Sequence, residues 1–316
     1  MMQSTQSVFM IRPHSFRMNE ETAGNNHYQQ QAAPSVSAQA IIERAQGEFN
    51  GLVQALENAG VQLVVFDELE PFETPDALFP NNWISTHEDG SVGLYPMFAP
   101  NRRKERREDV LIVLEHQYQF QIEEVLDFTE FEEHQKFLEG TGSLVLDRVH
   151  RKAYAALSER TDERALMHFC AQFGYDPVPF TANQTVDGNR MPIYHTNVMM
   201  SIGTHFAAVC LDSIDDAYER SRVQKSLEDD GLHVIPLTES QIEDFAGNML
   251  EIQGSSGLLV VMSSRAESAL TQHQKKELTQ HASIVSAPLD TIENLGGGSA
   301  RCMIAEIHLP SRSEHD

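Results

Sequence analysis

The stretch Gly247-Asn248-Met249-Leu250-Glu251-Ile252, a turn at Gly254 and then Leu258-Leu259-Val260-Val261-Met262 places two short apolar runs either side of a glycine. It reads as a buried β-hairpin opened by small and polar residues. The same pattern recurs on both sides. Asn81-Asn82-Trp83-Ile84-Ser85 leads through Asp89-Gly90 into Val92-Gly93-Leu94-Tyr95. Gly142-Ser143-Leu144-Val145-Leu146 turns near 148–151 into Ala153-Tyr154-Ala155-Ala156-Leu157. Thr196-Asn197-Val198-Met199-Met200 turns at Gly203-Thr204 into Phe206-Ala207-Ala208-Val209-Cys210. A last copy, from Ala300 to Ile307, ends the series, so units begin near Asn82, Gly142, Asn197, Asn248 and Arg301, 50 to 60 residues apart. Helical patterns at 162–173, 215–227 and 264–281 follow the hairpins. Ser37 to Ala59 carries Ile41, Ala45, Phe49, Leu52, Val53 and Leu56 on one face, Gly60 stops it, and Val61–Phe66 reads as a strand. Strands alternating with helices make an α/β protein. One unit is too small to bury a core, whereas five around an axis would do so, as in a propeller. An ordinary open α/β sheet is the alternative.

The length of 316 residues admits two small domains or one large one, and the repeat favours a single domain over 1–310, with 311–316 as a disordered tail. With 23 basic and 47 acidic residues the net charge is −24, which argues against nucleic acid or an anionic membrane as partner. No apolar run approaches the roughly 20 residues of a membrane helix, and Met1-Met2-Gln3-Ser4-Thr5 has no signal-peptide character. Three widely spaced cysteines point to a reducing, cytoplasmic setting. Gln29–Ser37 reads as a loop, and Phe72–Leu78 and Gln184–Arg190 are candidate lids.

In such a ring the unit starts converge at one end of the axis, so their polar residues are the site candidates. Cys302 follows Gly296-Gly297-Gly298-Ser299-Ala300-Arg301, where a flexible backbone and a neighbouring cation suit a nucleophilic thiolate. A buried small hydrophobe is the plainer reading, and for Cys170 and Cys210 it wins. His195 opens the third unit and suits general acid–base work. Glu139, in Glu139-Gly140-Thr141-Gly142-Ser143, could hold an imidazole, or be one more solvated acid. Arg102, Arg103, Lys104, Arg106 and Arg107 form a basic cluster out of keeping with the chain; it reads equally as an anion site or as a surface paired with Glu105, Glu108 and Asp109. No phosphate loop, nucleotide fingerprint or metal spacing is present, so neither cofactor nor metal is expected.

With these residues the sequence resembles the guanidine-modifying enzymes of the pentein fold: arginine deiminase, dimethylarginine hydrolase and amidinotransferase. Gly-Gly-Gly-Ser-Ala-Arg-Cys-Met at 296–303 resembles the catalytic cysteine motif, Phe79-Pro80-Asn81-Asn82-Trp83 the Pro-Asn substrate loop, and Pro96-Met97 through Pro100-Asn101-Arg102 the arginine-bearing loop. Ser158-Glu159-Arg160-Thr161, Glu139-Gly140 and His195-Thr196-Asn197 match the remaining elements, and the likeness runs from Arg12-Pro13 to the C-terminus. The wording is most similar to the citrulline-utilisation hydrolases (citrulline ureidases).

The resemblance implies a five-fold pseudosymmetric α/β propeller, the pentein fold, and a cysteine-dependent C–N hydrolase. Cys302 would attack the trigonal carbon, His195 would serve as acid and then base, and Glu139 would orient the imidazole. Asn81, Arg102 and Arg160 would hold the substrate α-carboxylate, with Asn82, Asn197 and Arg301 also in the substrate set. Two carboxylates of arginine deiminases are missing: Thr86-His87 and Asn197 stand at the compared positions. A guanidinium would lack counter-charge there, whereas an amide suits a neutral ureido group. The expected reaction is therefore hydrolysis of citrulline to ornithine, ammonia and carbon dioxide, on a small-molecule amino acid, with arginine or dimethylarginine hydrolysis as the rival. An inactive binding protein on the same fold is the non-enzymatic alternative, and the choice between monomer and homodimer stays open.

Overall fold

The structure is a computed structural model describing residues 2–70 and 74–312. Among them are five three-stranded sheets, all wired alike. In each, a first strand pairs antiparallel with a second, across a turn in four of the five, and a helical crossover lays a third strand parallel to the second. A parallel neighbour requires such a crossover, because the chain must return to the same end of the sheet.

The first unit has strands Ile84–Thr86, Ser91–Leu94 and Glu124–Asp127, with helix Glu108–His116 before the last. The second has Val145–Asp147, Lys152–Ala156, helix Glu163–Phe173 and Asp176–Phe180. The third has Met200–Ile202, Phe206–Val209, helix Ala217–Asp229 and His233–Pro236. The fourth has Leu250–Gly254, Gly257–Ser263, helices Ser264–Ala269 and Gln272–Leu278, and Ser283–Ala287. Both chain ends build the fifth. Ala305–Ile307 pairs antiparallel with the start of Ser7–Arg12, with Ser7 opposite Ile307, and Ser7–Arg12 pairs parallel with Gln62–Asp67. The last hairpin read from the sequence thus finds its second strand 300 residues away, at the N-terminus.

Local chemistry sets the helix limits. Ser37 caps Ala38–Asn58 by accepting from the Ala40 N–H, and the expected face of Ile41, Ala45, Phe49, Leu52, Val53 and Leu56 is buried. Each of the larger of these side chains contributes about 1.5–3 kcal/mol. The pattern at 264–281 is two helices rather than one, because Thr271 and Gln274 form a reciprocal capping box that starts a new helix. Asp216, not Asp215, caps the helix of the third unit, since Asp215 is bonded to Arg190 and Asn183.

The first strands are deeply buried. In the first three units every residue of them is buried. Side-chain hydrogen bonds tie each unit's inner end to the next. Asn81 Nδ2 donates to Thr141 Oγ1 at 3.3 Å, and Gln3 Nε2 bridges the Leu146 and Ile202 carbonyls at 2.9 and 3.2 Å. Asn248 Nδ2 donates to the Asn197 carbonyl at 3.0 Å, and Asn248 Oδ1 accepts from the Arg301 N–H at 3.1 Å. Thr86 Oγ1 donates to the Glu306 carbonyl at 3.0 Å. Positions just before the first strands are therefore close-packed and rigid.

Of the candidate lids, Phe72 lies outside the described residues while Thr74–Leu78 is buried. The segment at 184–190 belongs to a two-stranded hairpin, Asn183–Val186 with Asn189–Pro192, tied down by Arg190 to Asp215 and Glu239. At the C-terminus Ser311 bridges to Phe120, and residues 313–316 lie outside the described residues. Among the described residues no helix is long and apolar enough to cross a membrane.

Candidate active site

Glu139 and His195 come from the starts of the second and third units. Glu139 Oε2 lies 2.7 Å from His195 Nε2, and Oε1 accepts the Phe98 N–H at 2.9 Å. Two guanidiniums face the same carboxylate, Arg160 Nη1 at 3.6 Å and Arg102 Nη1 at 3.8 Å. Glu139 is fully buried and His195 is 2% exposed. Burial alone would raise the Glu139 carboxyl, but Arg160, the His195 hydrogen bond and Arg102 outweigh it and hold it well below the usual carboxylate range. Burial drives the His195 imidazole down to about 4, against the upward pull of Glu139. The ring is therefore neutral at pH 7, donating from Nε2 to the carboxylate, with Nδ1 as its basic position. A Cβ on Gly142 would come within 2.7 Å of Nδ1 and 2.4 Å of Asn82 Nδ2. Only glycine lets the imidazole and Asn82 close on this turn.

This burial has a consequence for stability. His195, His87 and His308 are all lowered by burial. Above pH 6.5 neither folded nor unfolded chain protonates them; between 6.5 and about 4 the unfolded chain takes up the proton and the folded His195 does not. The contribution of these imidazoles is thus full above pH 6.5 and falls as the pH drops, by about 3 kcal/mol for His195. Burial raises the Glu105 carboxyl to about 8 and acts with the opposite sign over the same range, so the imidazole itself is the readout. The NMR signal of His195 should stay near its neutral position from pH 7 to 4.5, and a titration near 6.5 would contradict the buried neutral ring.

Cys302 comes from the loop after helix Asp290–Gly296. Gly297 ends that helix at φ +66°, and a Cβ there would strike Asn26 Nδ2 at 2.4 Å. Cys302 N–H then bonds to the Ser299 carbonyl at 2.9 Å, and Ser299 Oγ is held by buried Glu293 at 2.7 Å. Two carboxamides approach the sulfur: Asn248 Nδ2 at 3.3 Å and Asn197 Nδ2 at 3.5 Å. Cys302, His195, Asn82, Asp76, Arg102, Arg160 and Tyr194 line one cavity of about 10 Å³, room for about one water. Residues 19–29 roof it. Asn19 Nδ2 reaches Asp76 at 2.7 Å, Asn25 accepts from Arg160 and donates to Glu159 at 2.9 Å, and Asn26 Nδ2 reaches the Gly297 carbonyl at 3.3 Å.

Several expected site residues are placed differently. Asn81 is bonded to Thr141 and Asn82 and does not line the cavity; Asn82 does, accepting from Arg102 Nη1 at 2.8 Å. Thr86 is bonded to the last unit and His87 stacks on Phe173 at 4.0 Å, so neither lies on the cavity. The segment's cavity-facing residues are Asp76, Phe79 and Asn82. Arg301 leaves the substrate set: it bonds Glu306 at 2.6 Å and lines a separate cavity of about 30 Å³ with Arg148 and Glu306. Asn197 borders that second cavity too, with its amide nitrogen on the sulfur rather than free for a substrate. Of the basic cluster only Arg102 turns inward, gripped by Glu105 through two bonds of 2.9 Å; Arg103 and Arg106 pair with Glu132, and Arg107 with Asp109. Cys170 and Cys210 are core thiols, raised by burial, Cys170 to about 12.

Three contributors went unread in the sequence. Asn248 had a signal, since it occupies the unit-start position of Asn82 and Asn197. Asp76 and the roof at 19–29 had none, being polar residues in loops. Among the described residues, Asp147, His150 and Asp230 come close enough to share a metal ion, but Lys152 Nζ already lies 2.6 Å from Asp230 and none of the three lines the Cys302 cavity.

Comparison with solved structures finds the same fold. The N-terminal domain of ArgZ bound to substrate, an arginine dihydrolase from the ornithine–ammonia cycle in cyanobacteria, aligns with TM-score 0.69 at 16% identity over 95% of this chain and 97% of that one. AgrE, as a cysteine-to-alanine mutant in binary complex with L-arginine, aligns with TM-score 0.73 at 17% identity over 98% of this chain and 41% of the longer AgrE chain. DDAH from Pseudomonas aeruginosa, a cysteine-to-serine mutant complexed with citrulline, aligns with TM-score 0.64 at 12% identity over 97% of this chain and all of that one. Among curated protein sequences none matches closely enough to count as a relative. The family model described as N,N dimethylarginine dimethylhydrolase, eukaryotic, matches residues 12–309. Matching that model over nearly its whole length, the chain belongs to the dimethylarginine dimethylhydrolase family of guanidine-modifying penteins, hydrolases of C–N bonds.

Proposed function

We propose that the protein hydrolyses the ureido group of citrulline to ornithine, ammonia and carbon dioxide, working as a single catalytic domain over residues 1–310 whose five units close into a five-fold propeller. The matched topology of the five sheets and the chain of side-chain bonds between inner ends support the ring. The observation that carries the substrate choice is the Asn82 carboxamide on the wall that Cys302 and His195 share, near two buried acids, Asp76 on that wall and Glu139 behind His195. Each already faces an arginine: Asp76 has Arg102 Nε at 3.6 Å, and Glu139 has Arg160 and Arg102. Asp76 Oδ1 nevertheless has no hydrogen-bond partner among the described residues, and that oxygen is where a substrate guanidinium would find an acceptor, which keeps arginine as the second reading. A neutral ureido group meets the Asn82 carboxamide instead, which can donate and accept.

In the proposed reaction Cys302 sulfur attacks the ureido carbon, its proton passing to His195. His195 returns that proton to the departing amide nitrogen, which leaves as ammonia, and an S-carbamoyl adduct remains. His195 then takes a proton from water, the hydroxide displaces sulfur, and the resulting carbamate of ornithine loses carbon dioxide. Glu139 keeps the imidazole in the tautomer with Nδ1 free. Arg160 takes the substrate carboxylate once Asn25 swings off its fork, so residues 19–29 shift outward to admit the amino acid. Arg102, gripped by Glu105, positions Asn82.

Incubation of purified protein with citrulline and, separately, arginine tests the reading. Ornithine from citrulline, with arginine turned over at least about tenfold more slowly, is expected; a tenfold ratio needs only about 1.4 kcal/mol of discrimination. Citrulline formed from arginine with no ornithine from citrulline would overturn it. Arginine hydrolysis is kept as the second reading because ArgZ is described as an arginine dihydrolase and AgrE was crystallised with L-arginine.

A further inference from the structure

We propose that Asn248 is a catalytic residue: with Asn197 it forms a two-donor cradle that holds the Cys302 sulfur whenever it carries negative charge. The inference rests on the proposed reaction only in taking Cys302 as nucleophile. Asn248 is fully buried. Its Oδ1 accepts the Arg301 backbone N–H at 3.1 Å, which fixes the orientation of the carboxamide. Nδ2 must therefore face the other way, where it meets the Asn197 carbonyl at 3.0 Å and the Cys302 sulfur at 3.3 Å. One N–H serves each acceptor. Asn197 Nδ2 supplies a second donor at 3.5 Å from the neighbouring unit.

A thiol is a weak acceptor, and a pair of amide donors converging on it from two rigid segments exceeds what it can use. A sulfur with a full electron pair uses both, because hydrogen bonds to charged groups are roughly twice as strong as neutral ones. The sulfur is in that state twice in the proposed cycle: after its proton has passed to His195, and again when the C–S bond breaks and the bonding pair returns to sulfur. Charged and titratable neighbours on the other cavity walls are His195, Asp76, Arg102, Arg160 and Tyr194, none of which bonds Asn248.

The test is alkylation of Cys302 by iodoacetamide at pH 7, followed by mass spectrometry with Cys170 and Cys210 as internal references. The reagent needs no substrate, so a protein inert to citrulline but showing the expected rates would keep this proposal and lose the substrate. Asn248→Asp keeps the acceptor for Arg301 and turns an oxygen on the sulfur; the Cys302 rate should fall roughly 10- to 100-fold. Asn248→Ser retains a hydroxyl donor and should fall less. Unchanged Cys302 rates in a folded variant overturn the proposal. Unfolding would show as accelerated labelling of Cys170 and Cys210, and the native protein then decides. All three cysteines are at most 3% exposed, so Cys302 should react at least about tenfold faster than the other two, and equal rates overturn the cradle.

Discussion

Cys302→Ala should lose at least about 10⁴-fold of citrulline turnover while remaining folded. The sulfur is the nucleophilic side chain on the cavity that also holds His195, Asn82 and Arg160, and the side chain is small and 3% exposed. Removing it costs little packing, on the order of 1 kcal/mol. The loss should fall on kcat. Calorimetry should still detect citrulline, because Arg160 and Asn82 are untouched. Stopped assays for ornithine and ammonia check the rate, and a variant within tenfold of the parent would remove covalent catalysis by this cysteine.

Glu139→Gln should lower both activity and stability, and for separable reasons. The carboxylate is fully buried, with guanidinium nitrogens of Arg160 and Arg102 at 3.6 and 3.8 Å. Neutralising it leaves buried Arg160 without a facing carboxylate, while Arg102 keeps Glu105 and Asp76, and breaking a buried pair of this kind costs about 3–5 kcal/mol. The carboxamide also cannot serve every neighbour at once. Its oxygen can accept from either Phe98 N–H or His195 Nε2–H, where the carboxylate accepts from both. If the amide nitrogen faces the ring, the imidazole proton moves to Nδ1 and the basic position is lost. A fall in kcat of about 10³- to 10⁴-fold is expected, as for other acids that set a histidine tautomer. Urea denaturation at pH 7.5 reads the first effect and single-turnover kinetics the second. A glutamine variant as stable as the parent would mean that Glu139 is not the counter-charge for Arg160.

Much of the architecture was legible because it repeats. The hairpins at 84–94, 145–156, 200–209 and 250–263 and the face of helix Ala38–Asn58 follow from apolar periodicity, which burial demands of any sequence making those elements. The Thr271–Gln274 break was hidden because a capping box lies inside a stretch whose apolar pattern continues through it. Cys302, His195 and Glu139 stood out as candidates from their unit-start positions and from motif resemblance, and the fold brings His195 onto Glu139 and onto the Cys302 cavity. Asn81 against Asn82 was not, because neighbouring asparagines look alike until the turn at 80–82 sends one side chain to Thr141 and the other to Arg102. Arg301 was misread for the same reason: adjacent to the nucleophile in sequence, it leaves on the opposite side of the turn toward Glu306.

By itself the amino-acid order determined four hairpins, the helical patterns after three of them, a fifth unit start near Arg301, a basic cluster foreign to an acidic chain, and a cysteine after a glycine run. These are local properties, set by side-chain period and backbone freedom. Only the tertiary structure decided that Ala305–Ile307 pairs with Ser7–Phe9, that Asn248 and Asn197 meet one sulfur, and that residues 19–29 roof the cavity. Those contacts join residues from 54 to some 300 positions apart, and their partners are chosen by which unit packs beside which, a choice that hydrophobic period along a single segment does not encode.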